Sequence, residues 1–329
     1  MQTTLALCIP AYNAATHLPR LFESVRQQTV PFDEVWVYDD ASTDETAAVA
    51  ARFGARVIRG QINQGCSAGK NALLAQVGTA WAHFHDADDT LMPEFVAHAK
   101  ARIASEEFDV LMFDYQQVDE STGASMSRSD FSRSDLLHDP VRYMLANTVN
   151  NGGVYSTALL RQTGGFDLDP GVRYNEDRAF HLRLAEAGAR FAIEPYVGSQ
   201  FYFNPGSMSA SNRARCCLAS HEITLLFTGR HPGRYQEEIG HLAWQNAACL
   251  ASCLEWKGTD ACVALACKAT GRVPKAASTL FKLVCFVNPY WAIRIREALI
   301  RLLKPRLRQG YPAWKAPWRA DVKPAGSRV

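Results

Sequence analysis

Three carboxylates within four residues, Asp86, Asp88 and Asp89, follow the largely apolar run Trp81-Ala82-His83-Phe84-His85. Carboxylates this close repel one another, and a divalent cation is the simplest species that offsets the repulsion. The run before them has the length of a buried strand, and ligands bind at strand ends on open α/β sheets. Asp39-Asp40 ends a second such run, Glu34-Val35-Trp36-Val37-Tyr38, and Glu176-Asp177 precedes Phe180, Leu182, Leu184 and Ala185. Each acid group also has a plainer reading. Thr90 ahead of Pro93 makes the first a solvated turn with a helix N-cap. Glu176-Asp177 is equally an acidic first turn favoured by the helix dipole. His85 reads as a packed strand residue rather than a ligand.

These residues need a frame. Residues 3–9 read as a first strand closed by Pro10, and Leu18, Leu21, Phe22 and Val25 recur at helical spacing to about Thr29. Residues 34–38 form a second strand, after which Ser42 and Thr43 cap a helix with Asp44 and Glu45 in its first turn. Residues 55–58 form a third strand, Gly65 leads into a helix to about Val77, and the strand with the acids follows. A helix from Pro93 and a strand over 109–113 continue the alternation. Alternating strands and helices with short connections predict a mostly parallel sheet wrapped by helices. Tyr12, Asn13, Asp39, Asp40, Asp86 and Asp88 then lie on one sheet edge. This is the geometry of a nucleotide site, without the Gly-x-Gly-x-x-Gly or Gly-Lys-Ser/Thr phosphate loops. Residues 115–135 read as a polar surface excursion, residues 190–193 and 198–203 as two strands, and the chain beyond about Ser209 as helical.

At 329 residues the chain accommodates one large domain with a sizeable extension. No apolar run reaches the roughly 18 residues of a membrane span, and Met1-Gln2-Thr3-Thr4 lacks the basic flank of a signal peptide, so a cytoplasmic chain is expected. Nine cysteines without export argue against a disulfide framework. Cys249, Cys253, Cys262 and Cys267 match no common zinc spacing and read as buried free thiols. From Leu265 to Val329 there are 14 Lys and Arg against two acids (+12), which leaves 21 against 31 (−10) for the rest. A basic tail on an acidic body suits an anionic partner. Pro289 opens a helix with Trp291, Ile295, Leu299, Leu302 and Leu303 on one face and Arg294, Arg301 and Lys304 on the other. Tyr311, Trp314, Lys315, Trp318 and Arg319 follow, so residues 288–319 suit an anionic membrane surface. A tail packed on the chain's own body or on a dimer partner is the plainer alternative. No nucleic-acid module accompanies the charge, and no nucleic acid is expected as partner.

Six motifs in order resemble the inverting family 2 glycosyltransferases: Ile9-Pro10-Ala11-Tyr12-Asn13, Asp39-Asp40-Ala41-Ser42-Thr43-Asp44, Asn63-Gln64-Gly65 through Lys70-Asn71, Asp86-Ala87-Asp88-Asp89, Gly164-Gly165-Phe166-Asp167 and Glu176-Asp177. The resemblance implies a GT-A, Rossmann-like sheet over residues 1–210 with a helical C-terminal extension over 211–329. It implies a nucleotide-sugar donor, with a UDP-sugar as the leading choice, and a glycan or lipid-linked glycan acceptor. Pro10, Tyr12, Asp40, Lys70 and Asp86 would contact the donor, with Tyr12 stacked on the base, Asp40 on its ring N–H and Asp86 at the ribose. Asp88, with Asp86, would hold Mg²⁺ or Mn²⁺. Asp177 would act as general base, with Glu176 orienting the acceptor or the base. Tyr12 as a strand-end aromatic and Asp40 as a helix cap are the rival readings. The sequence departs from the family at Lys70, where Arg is usual, and at Asn204, where many members carry His before a Ser-x-Ser. Two other classes compete: a non-catalytic nucleotide-sugar-binding scaffold, and a nucleotidyltransferase.

Overall fold

The computed structural model describes residues 3–204, 211–274 and 277–308. The chain divides into two compact units, Met1–Leu168 with Glu176–Ser207, and Asp169–Asn175 with Met208–Val329.

The first unit is built around β1 (Leu5–Ala11), buried at nearly every position. A strand covered on both faces and paired on both edges reads as a continuous apolar run rather than an alternation. β2 (Glu34–Asp39) and β4 (Trp81–Phe84) flank it in parallel, and β3 (Arg56–Arg59) extends the sheet beyond β2. The remaining strands are β5 (Thr90–Leu91), β6 (Val110–Asp119), β7 (Ser125–Arg128), β8 (Gly153–Ser156) and β9 (Phe191–Phe203). The sheet order is β3-β2-β1-β4-β8-β6-β9-β5, with β7 hairpinned on β6. β6 and β9 run parallel, whereas β8 is antiparallel to both neighbours and β5 is antiparallel to β9. The expected α/β sheet wrapped by helices is therefore present, fully parallel over its first four strands and mixed beyond them.

Helices α1 (Leu18–Arg26), α2 (Thr46–Arg52), α3 (Cys66–Gln76), α4 (Phe95–Ser105), α5 (Pro140–Ala146), α6 (Thr157–Gln162) and α7 (Glu176–Glu186) belong to the same unit. Leu7, Ile9, Leu21, Phe22, Val37, Phe95, Leu111 and Phe113 form part of one core cluster.

Several local expectations are corrected. Thr90 is not a helix cap, because it pairs with Gln200 as β5. Ser42 and Thr43 do not cap α2: the Ser42 hydroxyl accepts the Asn13 N–H, and Asp44 Oδ1 accepts the Thr46 N–H at 3.0 Å. The polar stretch after Phe113 is the far half of β6 with the β7 hairpin. Residues 191–203 make one strand instead of two. Pro195 lacks an N–H for the ladder, and the register passes from Phe113↔Glu194 to Asp114↔Val197, so the strand bulges there instead of ending.

The second unit contains helices Arg213–Arg230, Gln236–Ser252, Trp256–Thr270, Thr279–Val287 and Pro289–Leu303. Leu242, Trp244 and Leu250 are buried, and Leu254 is half-buried. The Asn288 side chain accepts the N–H groups of Tyr290 and Trp291, capping the helix that Pro289 opens. Among the described residues, no helix is long and apolar enough to cross a membrane.

Candidate active site

The parallel ladder sets where the polar residues emerge. Ala11 pairs with Asp39, the Asp40 N–H donates to the Ala11 carbonyl at 2.8 Å, and the His85 N–H donates to the Cys8 carbonyl at 3.0 Å. The chain segments carrying Tyr12, Asp40 and Asp86 therefore leave the sheet at one edge. Tyr12 presents an exposed ring. Asn13, in the left-handed region at φ 49°, accepts the Thr43 N–H on its side chain and so ties the first strand-end loop to the second.

Asp40 is buried, and it does not cap α2. Its two oxygens accept the N–H groups of Gln64 at 2.9 Å and Gly65 at 2.7 Å. Asp40 thus fixes the turn that launches α3, where Gly65 takes φ 91°. The helix then runs hard against β2: a Cβ on Gly69 would lie 2.8 Å from Tyr38 Cδ1. Close approach at Gly69 draws the next residue, Lys70, out of solvent, and it is 1% exposed.

The Lys70 ammonium meets Asp177 Oδ1 at 3.0 Å and lies 4.0 Å from Asp86 Oδ1 and 5.0 Å from the Phe166 ring centre. Burial alone would favour a neutral lysine. Asp177 foremost, then Cys66, Asp86 and Glu176, reverse that and hold its pKa well above the ordinary value. The Asn151 amide donates to the same Asp177 oxygen at 2.5 Å. Asp177 comes from the first turn of α7, and the helix is seated by an aromatic cluster. Phe166 and Phe180 stack at 3.9 Å, and Phe84 meets Phe166 edge-on at 4.9 Å.

The glycines before Phe166 have a specific task. Gly164 and Gly165 take φ of 79° and 69°, which lets Asn71 clip both sides of the Phe166 backbone, accepting its N–H at 2.7 Å and donating to its carbonyl at 2.9 Å. A Cβ on Gly165 would collide with the Asn71 amide oxygen. Lys70 and Asn71 on α3 thus reach two segments that lie far along the chain.

The acids after β4 have separate environments. Asp86 sits in an open cleft with its side chain 46% exposed, yet protein surrounds it. Loss of bulk water, against the pull of Lys70 and with Asp177, Asp88 and Glu176 nearby, raises its pKa to about 7. Asp88 is exposed, and its backbone carbonyl accepts the Arg20 guanidinium. Arg20 stacks on Tyr202 at 3.8 Å and pairs with Glu120 at 3.1 Å. Asp89 is buried and accepts the Tyr202 N–H at 2.8 Å, which ties the acidic loop to β9. His85 is buried with its Nδ1 3.0 Å from His83 Nε2, a packed residue as expected, and burial pushes both imidazoles down. Asn204 donates to Glu120 at 2.8 Å, while Ser207 and Ser209 lie outside the described residues.

Among the described residues, no three His, Cys, Asp or Glu side chains are arranged to hold a metal ion by themselves. Asp86 and Asp88 are hard oxygen donors, and the raised pKa of Asp86 reflects burial first and the neighbouring carboxylates of Asp177, Asp88 and Glu176 second. Small divalent cations commonly bind one or two carboxylates and complete their shell with substrate phosphates and water. The donor set fits a cation shared with a bound diphosphate.

Lys70, Asp86 and Asp177 are thus brought together, with Glu176 close enough to act on both Lys70 and Asp86 electrostatically. Pro10, Tyr12 and Asp40 stand at the same edge of the sheet. Sequence reasoning missed Asn151 and Arg20. Asn151 lay in the conspicuous Asn150-Asn151-Gly152-Gly153 run, whose glycine content marks close backbone approach without naming the partner. Arg20 carried no signal, because an arginine after Pro19 in a first helical turn is ordinary.

The profile of the family described as Glycosyl transferase family 2 matches residues 6–163. Among characterised sequences, the succinoglycan biosynthesis protein ExoO of Rhizobium meliloti is 27% identical over 61% of this chain and 61% of its own length. The poly(ribitol-phosphate) beta-N-acetylglucosaminyltransferase TarS of Staphylococcus aureus is 29% identical over 57% of this chain, which spans 33% of TarS. The crystal structure of S. aureus TarS 1-349 in complex with UDP-GlcNAc superposes with a TM-score of 0.66 at 18% identity, covering 91% of this chain and 92% of the other. The mannosyltransferase PcManGT of Pyrobaculum calidifontis, solved with GDP-Man and Mn2+, gives 0.56 at 20% identity over 91% and 87%. The structural likenesses establish a GT-A fold. Through residues 6–163, the chain belongs to glycosyl transferase family 2.

Proposed function

We propose that this chain is an inverting glycosyltransferase, with residues 1–210 as catalytic domain, moving a sugar from a nucleotide donor to a glycan or lipid-linked glycan hydroxyl. One observation carries the reading. Lys70 and Asn151 both donate to Asp177 Oδ1, at 3.0 and 2.5 Å, which fixes the direction in which that carboxylate points. A carboxylate fixed this way is suited to take a proton from an acceptor hydroxyl as that oxygen attacks the anomeric carbon from the face opposite the leaving diphosphate. Glu176, one residue earlier on α7, orients the acceptor. Tyr12 offers its exposed ring to the base, Pro10 stiffens the strand end before it, and Asp40 retains a lone pair on each oxygen for a ring N–H. Asp86 and Asp88 would hold Mg²⁺ or Mn²⁺, which when bound offsets charge on the departing diphosphate. The TarS complex with UDP-GlcNAc and the PcManGT complex with GDP-Man and Mn2+ support a nucleotide-sugar donor and a metal. A UDP-sugar is the first donor to try. ExoO's place in succinoglycan biosynthesis supports a cell-surface polysaccharide product.

Thermal-shift titration with nucleotide diphosphate sugars tests this. One donor with Mn²⁺ should raise the melting temperature, since a ligand at 100 times its Kd adds about 2.7 kcal/mol. EDTA or Asp88→Ala should remove most of the gain, and an undiminished shift in Asp88→Ala would sink the metal assignment. Sugar transfer by the purified chain excludes a scaffold role, whereas pyrophosphate release from a nucleoside triphosphate would indicate a nucleotidyltransferase.

We also propose that the C-terminal helices contact the anionic cytoplasmic leaflet. Leu283, Phe286, Trp291, Leu302 and Leu303 are exposed on the last two α-helices, beside exposed Arg296, Lys304 and Arg306. Two basic residues expected on the face opposite the apolar stripe are held by acids of the same unit. Arg294 forms a two-pronged pair with Asp260, and Arg301 pairs with the buried Glu297. Tyr311, Trp314, Lys315, Trp318 and Arg319 lie outside the described residues. Co-sedimentation should be strong with phosphatidylserine vesicles, weak with phosphatidylcholine, and reduced severalfold by Phe286→Glu with Leu302→Glu. Equal recovery with both lipids would reject an anionic surface as the partner.

A further inference from the structure

Three thiols of the helical unit meet around one guanidinium. Arg213 and Cys217 sit one turn apart on the Arg213–Arg230 helix, and Cys249 and Cys253 sit one turn apart on the Gln236–Ser252 helix. At this spacing both members of each pair face the same side of their helix. Arg213 Nε donates to Cys249 Sγ at 3.3 Å, and the Cys249 sulfur is within hydrogen-bonding reach of both Cys217 and Cys253. All three cysteines are free, and Cys217 and Cys249 are only half-buried. Among the described residues, no group of three His, Cys, Asp or Glu side chains is arranged to hold a metal ion. The sequence reads Cys249 as a buried free thiol; it is free but only half-buried.

We propose that Cys249 is a hydroperoxide-reactive thiol with Cys217 as its resolving partner, so that this unit carries an oxidative modification site. The Cys217 and Cys253 thiols donate to the Cys249 sulfur, and with Arg213 they favour its thiolate strongly, while Cys217 and Cys253 keep their protons. The Cys249 thiolate attacks the O–O bond of a hydroperoxide. An S–O bond forms, the O–O bond breaks, and the alkoxide or hydroxide leaves and takes up a proton. Cys249 is thereby oxidised by two electrons to the sulfenic acid. The Cys217 sulfur, its proton lost to solvent base, then attacks Cys249. An S–S bond forms, the S–O bond breaks, and the oxygen leaves as water. The sum is two thiols and one hydroperoxide giving one disulfide, one alcohol or water, and one further water. A thiol reductant reverses it.

The test exposes the reduced full-length chain to limiting hydrogen peroxide, blocks remaining thiols with N-ethylmaleimide, and maps peptides by mass spectrometry. Cys249 should be consumed about ten-fold faster at pH 7 than Cys267, a half-buried cysteine of the same unit. The larger thiolate fraction is partly offset by lower intrinsic nucleophilicity. The product should be a Cys217–Cys249 disulfide, and in Cys217→Ser a dimedone adduct should appear at Cys249. Between pH 6 and 8 the Cys249 rate should stay nearly flat, while the Cys267 rate should rise about ten-fold per unit. Equal rates and equal pH slopes for the two cysteines would overturn the assignment. A Cys249–Cys253 product would overturn the choice of resolving partner.

Discussion

Asp177→Asn is expected to lower sugar transfer by about 10²–10⁴-fold while donor affinity stays within about two-fold of wild type. The substitution is nearly isosteric, and an amide oxygen can still accept from Lys70 and Asn151, so the α7 turn keeps its place. The capacity to take a proton is lost. Tyr12, Asp40 and Asp86, the residues proposed to contact the donor, come from other chain segments and keep their positions, although Asp86 loses the repulsion of the Asp177 charge. The check is kcat at saturating donor and acceptor, with donor Kd from titration calorimetry on the same protein. A fall confined to the acceptor KM would place Asp177 in binding instead of proton transfer. Unchanged kcat would remove it from the mechanism.

Lys70→Met should destabilise the first unit by about 2–3 kcal/mol. Breaking a buried ion pair from one side costs about 3–5 kcal/mol, and the partial exposure of Asp177 (23%) and Asp86 (46%) places this case at or below the low end. Methionine preserves most of the volume, so the loss reports charge rather than a cavity. The deficit should depend on pH with a definite sign. Lys70 has a folded pKa raised above its unfolded value. The stability it supplies is complete below about pH 10.4 and declines only as pH rises through the higher folded value. Asp86 acts in the opposite direction. Its folded pKa, pushed up to about 7, means stability is present at acid pH and declines between about pH 4 and 7 as the carboxyl ionises beside Asp177. Removing the lysine removes the charge that restrains this decline. Urea denaturation should therefore show a larger deficit at pH 8 than at pH 5, with Lys70→Arg recovering part of it. A deficit independent of pH would mean that Lys70 acts by packing alone.

Much of the first unit was legible because its leading strands are buried on both faces. Residues 5–11, 34–39 and 81–84 announce themselves as apolar runs ended by polar residues, and their parallel order follows from the helices between them. β5 and β8 were not legible. One has two residues, and the other opens on Gly153 and is stabilised by pairing between β4 and β6, which no local pattern records. Residues 190–193 and 198–203 read as two strands because the segment between them lacks a strand pattern, yet both belong to one bulged strand. At the site, the motif resemblance located Lys70, Asp86 and Asp177, and the chemistry of each residue type was readable from the sequence. Their mutual contacts were not, since the bonds of Asp40 to Gln64 and Gly65 and of Asn151 to Asp177 depend on tertiary approach. Helical periodicity placed Arg294 and Arg301 opposite the apolar stripe. It carried no information on the acids of neighbouring turns and helices that hold them inward.

The two reaches of α3 bear on folding order. Asn71 joins Phe166 across 95 residues, and Lys70 joins Asp177 across 107. Contacts of such separation lose more chain entropy on closure than local ones and form after the local structure they bridge. β1 with β2 and β2 with β3 pair early, since each pair is one crossover apart, while β4 joins β1 across 76 residues. Until the segment from Gly164 to α7 docks, Lys70 lacks its nearer counter-ion, Asp177, and has only Asp86 at 4.0 Å, so a growing chain that has just emerged to Val154 holds a sheet without the assembled cluster. Competence then arrives in one late, cooperative step.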